Sequence, residues 1–368
     1  MVIFVRKKGL TGEKMRSFDY SYLSERTWDA EIISYISKIH EYKGKQELYL
    51  RQKPIELKRL IEIAKVQSTE ASNRIEGIVT TNARLKQLVA DKTTPRNRNE
   101  EEILGYRNVL NTVHENYDMI PVRSSYILQM HRDLLRFTDH SYGGKFKTTP
   151  NEIDMMLENG EKIVLFRPLE PYETPDAVNE ICEKYQNALD MELVDELILI
   201  PCFILDFLCI HPFNDGNGRM SRLLTLLLLY RQGYLVGKYI SIEKEIADTK
   251  EAYYDALAKA DQGWHEGKND PKPFIKYMLG IILSCYREFE HRVTIAEKAG
   301  VRSTAYDIVK AYTEEHIGKF SKQDVLTGCP SLGSSSVEAS LKKLVEDGTL
   351  IRIGAGRKTQ YARTDAVN

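Results

Sequence analysis

The stretch HPFNDGNGRMSR, His211 to Arg222, constrains this chain more than any other feature. It follows a strongly apolar segment. Pro212 disfavours helical backbone at the residue before it, so the sequence predicts that a helix ends at His211. The Asn, Asp and Gly residues after Phe213 tolerate positive φ angles and predict a tight loop. The apolar segment RMSRLLTLLLLYRQ follows at once, so the pattern predicts two helices joined by a glycine-rich loop.

This loop carries the residue types that phosphate chemistry needs. A glycine-rich loop at a helix N-terminus directs backbone N–H groups and the positive end of the helix dipole at an anion. Arg219 and Arg222 lie three residues apart on the first helical turn, and each guanidinium can bind two phosphate oxygens. Asp215 supplies a single carboxylate, which together with phosphate oxygens is a usual magnesium arrangement. His211 can accept a proton near neutral pH.

The combination predicts transfer of a phosphorus group from a nucleotide to a hydroxyl, without a P-loop, because no G-x-x-x-x-G-K-[ST] motif is present. Each residue alone also has a structural interpretation. An isolated histidine is usually structural, an aspartate in such a loop can stabilise an Asx-turn, and helix arginines are often solvated. Arginine in the first turn of a helix opposes the dipole, however, which favours a bound anion.

The rest of the chain predicts a mainly α protein with several domains. Its 368 residues are 42% hydrophobic and 29% charged, as is usual for soluble globular proteins. Five cysteines are scattered without a C-x-x-C pair, and we find neither a secretory signal nor a bilayer-spanning run, so we expect reduced thiols and a cytoplasmic location without membrane contact. The net charge of −1 means that any nucleic-acid role needs a local basic patch.

Three regions follow from the patterns along the chain. Apolar residues at helical spacing predict an N-terminal helical region over 1–100 and a helical core over 101–292. Asn159-Gly160 lies between the segments NEIDMML and KIVLF, which predicts a β-hairpin at about 151–168. Beyond 296 a helix, two serine-capped helices and a glycine-tipped ribbon predict a winged helix-turn-helix over 296–368, with its wing tip at Arg357-Lys358.

HPFNDGNGRMSR resembles the signature of the Fic family, H-P-F-x-[DE]-G-N-[GK]-R-x-x-R, at every defined position. Most similar Fic proteins are AMP transferases (AMPylators). The resemblance implies a Fic core over roughly 100–285, in which the hairpin is a flap that pairs with the backbone of a protein target. It also implies a protein adenylyltransferase that moves AMP from Mg-ATP to a Ser, Thr or Tyr hydroxyl and releases pyrophosphate.

The same resemblance implies roles for single residues. His211 would deprotonate the target hydroxyl, and Asp215 would hold Mg²⁺ on the α- and β-phosphates. The residues that would form the nucleotide site are Phe213 as the anchor of the loop, Gly216, Asn217 and Gly218 at phosphate oxygens, Arg219 and Arg222 at the β/γ end, Met220 and Ser221 beside them, and Tyr254 of KEAYYDAL at the adenine pocket. Tyr254 could also be a core residue, and we expect His131 to pack rather than to react.

The segment SNRIEG, Ser72 to Gly77, holds a carboxylate at an unfavourable place. Glu76 stands in the last turn of a predicted helix, where the dipole disfavours it by ~0.3–1 kcal/mol, so a cation partner is expected. The segment matches the family's inhibitory pattern [ST]-x-x-x-E-[GN], which implies that Glu76 pairs with Arg222 and removes a γ-phosphate contact. Ser72 either hydrogen-bonds to Glu76 or has no role, and Glu76 could also be a plain exposed helix end.

Several alternatives stay open. Glu76 could position a water that removes AMP from targets, or the enzyme could transfer a phosphate or another nucleotide. A nucleotide-sensing DNA-binding regulator is a further alternative. Residues 321–363 hold seven positive and four negative side chains, a net charge of +3, which suits contact with either DNA or protein. The target protein, auto-modification and homodimer formation are not fixed by the sequence.

Overall fold

The computed structural model describes residue 16 and residues 18–52, 54–156, 162–298, 304–316, 318–329, 332–356 and 359–364. These residues form a mainly α-helical protein, as predicted. The α-helices are α1 Ala30–Gln52, α2 Pro54–Ile75, α3 Asn82–Val89, α4 Arg98–Asn116, α5 Ser124–Leu134, α6 Thr174–Asp190, α7 Glu196–Ile210, α8 Asn217–Arg231, α9 Ile242–Asp248, α10 Lys250–Ala260, α11 Lys272–Lys298, α12 Ala305–Glu315, α13 Lys322–Gly328 and α14 Ser334–Glu346. The strands are β1 Ile153–Met156, β2 Lys162–Phe166, β3 Phe320–Ser321, β4 Leu350–Ile353 and β5 Gln360–Arg363.

Helices α7 and α8 form the centre of the main hydrophobic core. Almost all of their side chains are buried, as expected for α7 from its apolar sequence, and the buried side chains of α8 include Arg219 and Arg222. They pack against each other, and α4, α6 and α11 surround them. Helix α7 stops at Ile210, as predicted, and α8 starts at Asn217, two residues before the predicted start at Arg219. Within the described residues, no helix combines the length and apolar character needed to cross a bilayer.

Helix α2 brings the N-terminal region to the loop between α7 and α8. It packs against α4 and α9, and it ends at Ile75. Gly77 has a φ of 78°, the left-handed backbone that a glycine stop supplies. Glu76 therefore lies one residue past the helix rather than in its last turn.

The predicted β-hairpin is present as strands β1 and β2. They are antiparallel, with Ile153 opposite Phe166 and Met156 opposite Lys162, and the register is irregular next to Ile153. The predicted Asn159-Gly160 turn lies outside the described residues. Each strand has a neighbour on one side only in the described part of the sheet, which leaves edges that another strand could pair with.

The C-terminal helices and strands form a second, smaller core. Its buried side chains come from α12, α13, α14 and the sheet β3-β5-β4. Capping boxes begin α12 at Thr304 and α13 at Ser321. The winged helix-turn-helix assignment and the domain boundaries stay predictions, and the wing tip at 357–358 lies outside the described residues. The exposed face of α14 mixes Glu338 and Glu346 with lysines, so it is not uniformly basic.

Candidate active site

A pocket of about 650 Å³ opens beside the loop that joins α7 to α8. Its walls also come from β1, β2, α10 and residues 261–266. A volume of this size suits a small organic ligand. The sequence-predicted residues that line it are Glu76, His211, Gly218, Arg222 and Tyr254. The other predicted site residues are not among those that line it.

His211 presents a proton acceptor to the pocket. Its Nδ1 lies 3.3 Å from the carbonyl oxygen of Leu208. Because a carbonyl only accepts, Nδ1 must carry the hydrogen, and Nε2 is left with its lone pair. Burial, the largest cause, lowers the pKa of His211 to about 4. The imidazole is therefore neutral at physiological pH and can act as a base.

Asn217 and Phe213 hold the loop in shape. The Asn217 side chain accepts a hydrogen bond from the Phe213 N–H at 2.9 Å and donates one to the Phe213 carbonyl at 2.7 Å. Phe213 is fully buried and stacks on His131, with ring centroids 3.7 Å apart. His131 Nε2 lies 3.0 Å from the Asp215 carbonyl, and burial lowers the pKa of His131 to about 4. These residues support the loop from inside the core.

Glu76 and Arg222 form the predicted pair. Arg222 Nη2 donates to Glu76 Oε1 at 2.7 Å, and the Arg222 side chain is only 3% exposed. Ser72 contacts Arg222 rather than Glu76. Its Oγ accepts from Arg222 Nε at 2.8 Å, and its carbonyl accepts from Nη2 at 2.9 Å. Ser72 of α2 and Glu76, which follows the helix, therefore supply three acceptor contacts to one buried guanidinium.

The Glu76 carboxylate also occupies the N-terminus of α8. A Cβ atom placed on Gly218 would lie 2.3 Å from Glu76 Oε1, so only glycine lets the carboxylate come this close. Helix α8 begins after Gly216, which has a φ of 82°. The N-terminus of a helix is a favourable place for an anion. The carboxylate thus sits where the sequence predicts a phosphate.

Arg219 has different neighbours from Arg222. Its Nη1 donates to Glu102 Oε2 at 2.7 Å, and its Nη2 lies 3.3 Å from Asp215 Oδ1. The side chains of Arg219 and Glu102 are 1% and 4% exposed. Arg219 is not among the residues that line the pocket. Sequence reasoning missed Glu102, because no local pattern links it to a loop more than a hundred residues away.

Replacement of Glu102 by alanine is expected to destabilise the chain. It leaves the buried Arg219 guanidinium without its main partner, and breaking a buried ion pair costs about 3–5 kcal/mol. Thermal unfolding should show a melting temperature lower by about 5 °C. Glu101→Ala, one residue earlier on α4, is the control and should change little. Equal melting temperatures for the two variants would contradict a structural role for the pair.

The remaining predicted residues surround this centre. Met220 is buried in the core, and Ser221 Oγ donates to the Gly218 carbonyl at 2.8 Å. Tyr254 is 44% exposed at the pocket wall, and its neighbour Tyr253 lines the same pocket but is buried. Sequence reasoning did not single out Tyr253.

Asp215 is the carboxylate that could hold a magnesium ion. Its Oδ1 accepts from the Gly216 N–H and from Arg219, and the side chain is 38% exposed. No hydrogen bond joins Oδ2 to the described residues. Nor do those residues contain a group of three or more His, Cys, Asp or Glu side chains arranged to hold a metal. A single open carboxylate fits Mg²⁺, which usually takes one or two protein carboxylates and completes its shell with substrate phosphates and water.

Comparisons with known proteins agree with these features. Residues 121–229 match the model of the Fic/DOC family. The proteins named "Protein adenylyltransferase Fic" from Culex quinquefasciatus and Aedes aegypti are each 26% identical over 256 and 270 residues, and each alignment covers 65% of this chain and 46% of the relative. The chain thus spans about half the length of these curated relatives.

Solved structures show the same fold. The crystal structure of a Fic family protein from Desulfovibrio desulfuricans G20 has a TM-score of 0.60 at 20% identity, over 92% of this chain and 97% of that one. Fic-1 (residues 134–508) from Caenorhabditis elegans has a TM-score of 0.55 at 21% identity, over 70% of each chain.

Proposed function

We propose that this chain, which contains a Fic domain, is a self-inhibited protein adenylyltransferase that uses Mg-ATP. One observation carries the proposal. The unprotonated Nε2 of a neutral imidazole, the N-terminus of α8 and a buried arginine border the same pocket. A base, an anion site and a cation in one cavity suit the attack of a hydroxyl on a phosphate ester.

In the proposed reaction, His211 is the base that accepts the proton of the target hydroxyl. Nε2 of His211 takes the proton of a Ser, Thr or Tyr hydroxyl as its oxygen attacks the α-phosphorus of ATP. The bond from the α-phosphorus to the bridging oxygen breaks, and pyrophosphate leaves. When bound at Asp215, Mg²⁺ would neutralise charge on the α- and β-phosphates. The products are an AMP ester on the protein and pyrophosphate.

The other site residues are assigned by their contacts. The backbone N–H groups of Asn217 and Gly218 at the start of α8 bind phosphate oxygens, while the N–H of Gly216 donates to Asp215. Tyr254 contacts the nucleotide from the pocket wall. Arg222 binds the γ-phosphate once Glu76 has left it. We assign Arg219 to the orientation of Asp215 rather than to phosphate, since its guanidinium is held between two carboxylates. Phe213, Asn217, Met220 and Ser221 maintain the loop.

The protein target docks on the flap formed by β1 and β2. Ile153, Leu165 and Phe166 of these strands line the pocket, and Leu165 is half exposed. An extended target segment pairs with a free strand edge through its backbone, which brings a neighbouring hydroxyl to His211. Recognition of this kind depends little on target side chains.

Inhibition follows from competition for Arg222. While the Glu76 carboxylate holds the guanidinium and the α8 N-terminus, the terminal phosphate of ATP lacks its cation. The nucleotide can then bind only in a displaced position. Removal of Glu76 frees both groups.

The transferred group distinguishes AMP transfer from phosphoryl transfer. The Glu76→Ala variant is incubated with a cell lysate and ATP labelled at either the α- or the γ-phosphorus. AMP transfer places the α-label on protein and leaves the γ-label in pyrophosphate. Label on protein from γ-labelled ATP alone would contradict the proposal.

The position of Glu76 also favours a second reaction. Its carboxylate borders the same pocket as His211, so it could orient a water molecule towards an AMP ester. A pool of α-labelled, AMP-modified protein tests this. Release of labelled AMP by the native chain but not by Glu76→Ala would establish AMP removal. Equal release by both would exclude a role for Glu76 in it. Contact of the C-terminal region with DNA or protein, auto-modification and homodimer formation stay predictions.

A further inference from the structure

Two residues in the segment before the flap bind four consecutive carbonyl groups. These belong to Ile210, the last residue of α7, and to the first three residues of the catalytic loop, which joins α7 to α8. Lys147 Nζ donates to the carbonyl of Ile210 at 3.0 Å, and Lys147 N donates to that of Pro212 at 2.9 Å. Asn151 Nδ2 donates to the carbonyl of Phe213 at 3.0 Å and lies 3.4 Å from that of His211. Lys147 Nζ also donates to Asn151 Oδ1 at 2.9 Å, so the two side chains hold each other. We call this pair the loop anchor.

The catalytic loop needs such support. His211 has a φ of 51°, a left-handed backbone that is unfavourable for any residue other than glycine. Backbone of this kind persists only where surrounding contacts fix it. The last carbonyls of α7 also lack partners within the helix, and a cation is favourable at a helix C-terminus. The loop anchor contacts the left-handed backbone at His211 and also donates hydrogen bonds to the carbonyl at the end of α7.

A lysine is energetically unfavourable at this buried position. Lys147 is only 2% exposed, and burial lowers its pKa to about 8, an effect that Glu170 and Glu173 partly oppose. An apolar side chain would fill the same space without this cost. The ammonium also lies near enough to His211 to disfavour the protonated imidazole. We therefore relate the charge of Lys147 to the support of the catalytic loop rather than to packing in the core.

We propose that Lys147 and Asn151 are positioning residues, which hold the backbone of His211 and place the Lys147 ammonium near its imidazole. The inference rests on the proposed function of His211 as a base. Asn151 lies two residues before strand β1, so the segment that holds the imidazole continues directly into the flap. The residue that reacts and the surface that receives the target are thereby joined by one short stretch of chain.

Kinetics in the Glu76→Ala background test this role. Incorporation of α-labelled ATP into lysate protein is measured for Lys147→Met, Asn151→Ala and the exposed control Lys145→Met. The maximal rate should fall by about 10–100-fold in Lys147→Met and less in Asn151→Ala, because small displacements of reacting groups are costly. The ATP concentration for half-maximal rate should stay the same within about twofold. A Lys145→Met loss equal to that of Lys147→Met would overturn the inference.

The pH profile separates charge from simple packing. With Lys147 present, the rate should decline above about pH 8 as the ammonium loses its proton. Lys147→Arg stays charged, so its rate should continue on a plateau to higher pH. An identical decline in both proteins would contradict the proposed role of the charge.

A spectroscopic measurement tests the inference without requiring AMP transfer. In proton NMR titrations, the His211 ring signal is assigned by its absence in His211→Ala. The pKa of His211 should be higher in Lys147→Met than in the native chain, and unchanged in Lys145→Met. An unchanged His211 pKa in folded Lys147→Met would overturn the inference. If Glu76→Ala transfers no label at all, the proposed function fails, and this titration still decides the role of Lys147.

Discussion

Replacement of His211 by alanine is expected to reduce the rate of AMP transfer by about 10²–10⁴-fold, the usual contribution of a general base. The lost group is the imidazole that lines the pocket, with its unprotonated Nε2. The rate is measured as α-label incorporated into protein in the Glu76→Ala background, where the basal rate is higher. The ATP dissociation constant, measured by calorimetry, should change by less than about twofold, because the imidazole acts on the hydroxyl rather than on the nucleotide.

Two controls make this result specific. His40→Ala, which removes an exposed imidazole paired with Asp195, should leave the rate unchanged. In the protein that retains His211, the rate of AMP transfer should stay constant as the pH is lowered to about 5. The reason is that the pKa of His211 is lowered to about 4 and the deprotonated imidazole is the active form. A rate that falls with the midpoint of a free imidazole, near pH 6.5, would contradict the burial of His211. A His211→Ala variant of full activity would exclude His211 as the base.

Replacement of Glu76 by alanine is expected to raise the rate of AMP transfer by about 5–150-fold, the range of a coupling free energy of 1–3 kcal/mol. The carboxylate is the anionic partner of Arg222, and it lies close to the α8 backbone at Gly218. Its removal frees both the guanidinium and the helix N-terminus for phosphate. Initial rates with saturating ATP and α-label measure the change.

Glu70→Ala is the matched control for Glu76→Ala. Glu70 lies on α2, the helix that ends just before Glu76, and its carboxylate pairs with Arg74 rather than with Arg222. Its removal should leave the rate as it is in the native chain. Ser72→Ala offers a graded comparison, because it removes one of the three contacts that Ser72 and Glu76 make to Arg222. If Glu76→Ala and Glu70→Ala had the same rate, inhibition by Glu76 would be excluded.

Local signals in the sequence predicted the ends of the central helices correctly. Pro212 acts on its immediate neighbour, and Gly77 stops α2 through its own backbone. The Glu76–Arg222 contact could not be predicted from local signals alone. The helix dipole disfavours each of the two charges, which indicates that each needs a partner but does not identify that partner. The family resemblance supplied the pairing, and the structure has it at 2.7 Å.

Other contacts could not be predicted from spacing. Ser72 and Glu76 are four positions apart, which suggested a bond between them, but the Arg222 side chain of α8 donates to both. Arg219 and Arg222 are three positions apart and so differ by about 60° around α8, enough to turn their guanidiniums to different partners. Glu102, Lys147 and Asn151 carry no motif, and only the packing of distant segments brings them to the loop.

The ratio of ATP to ADP affinity tests the central claim, that Glu76 and the γ-phosphate compete for Arg222, most directly. Dissociation constants for both nucleotides with Mg²⁺ are measured by calorimetry on the native chain and on Glu76→Ala. The native chain should bind ATP and ADP with similar affinity, since Arg222 is occupied. Glu76→Ala should prefer ATP by about tenfold or more, as expected for a charge-assisted contact worth ~1.5–3 kcal/mol. The same ratio in both proteins would contradict the account.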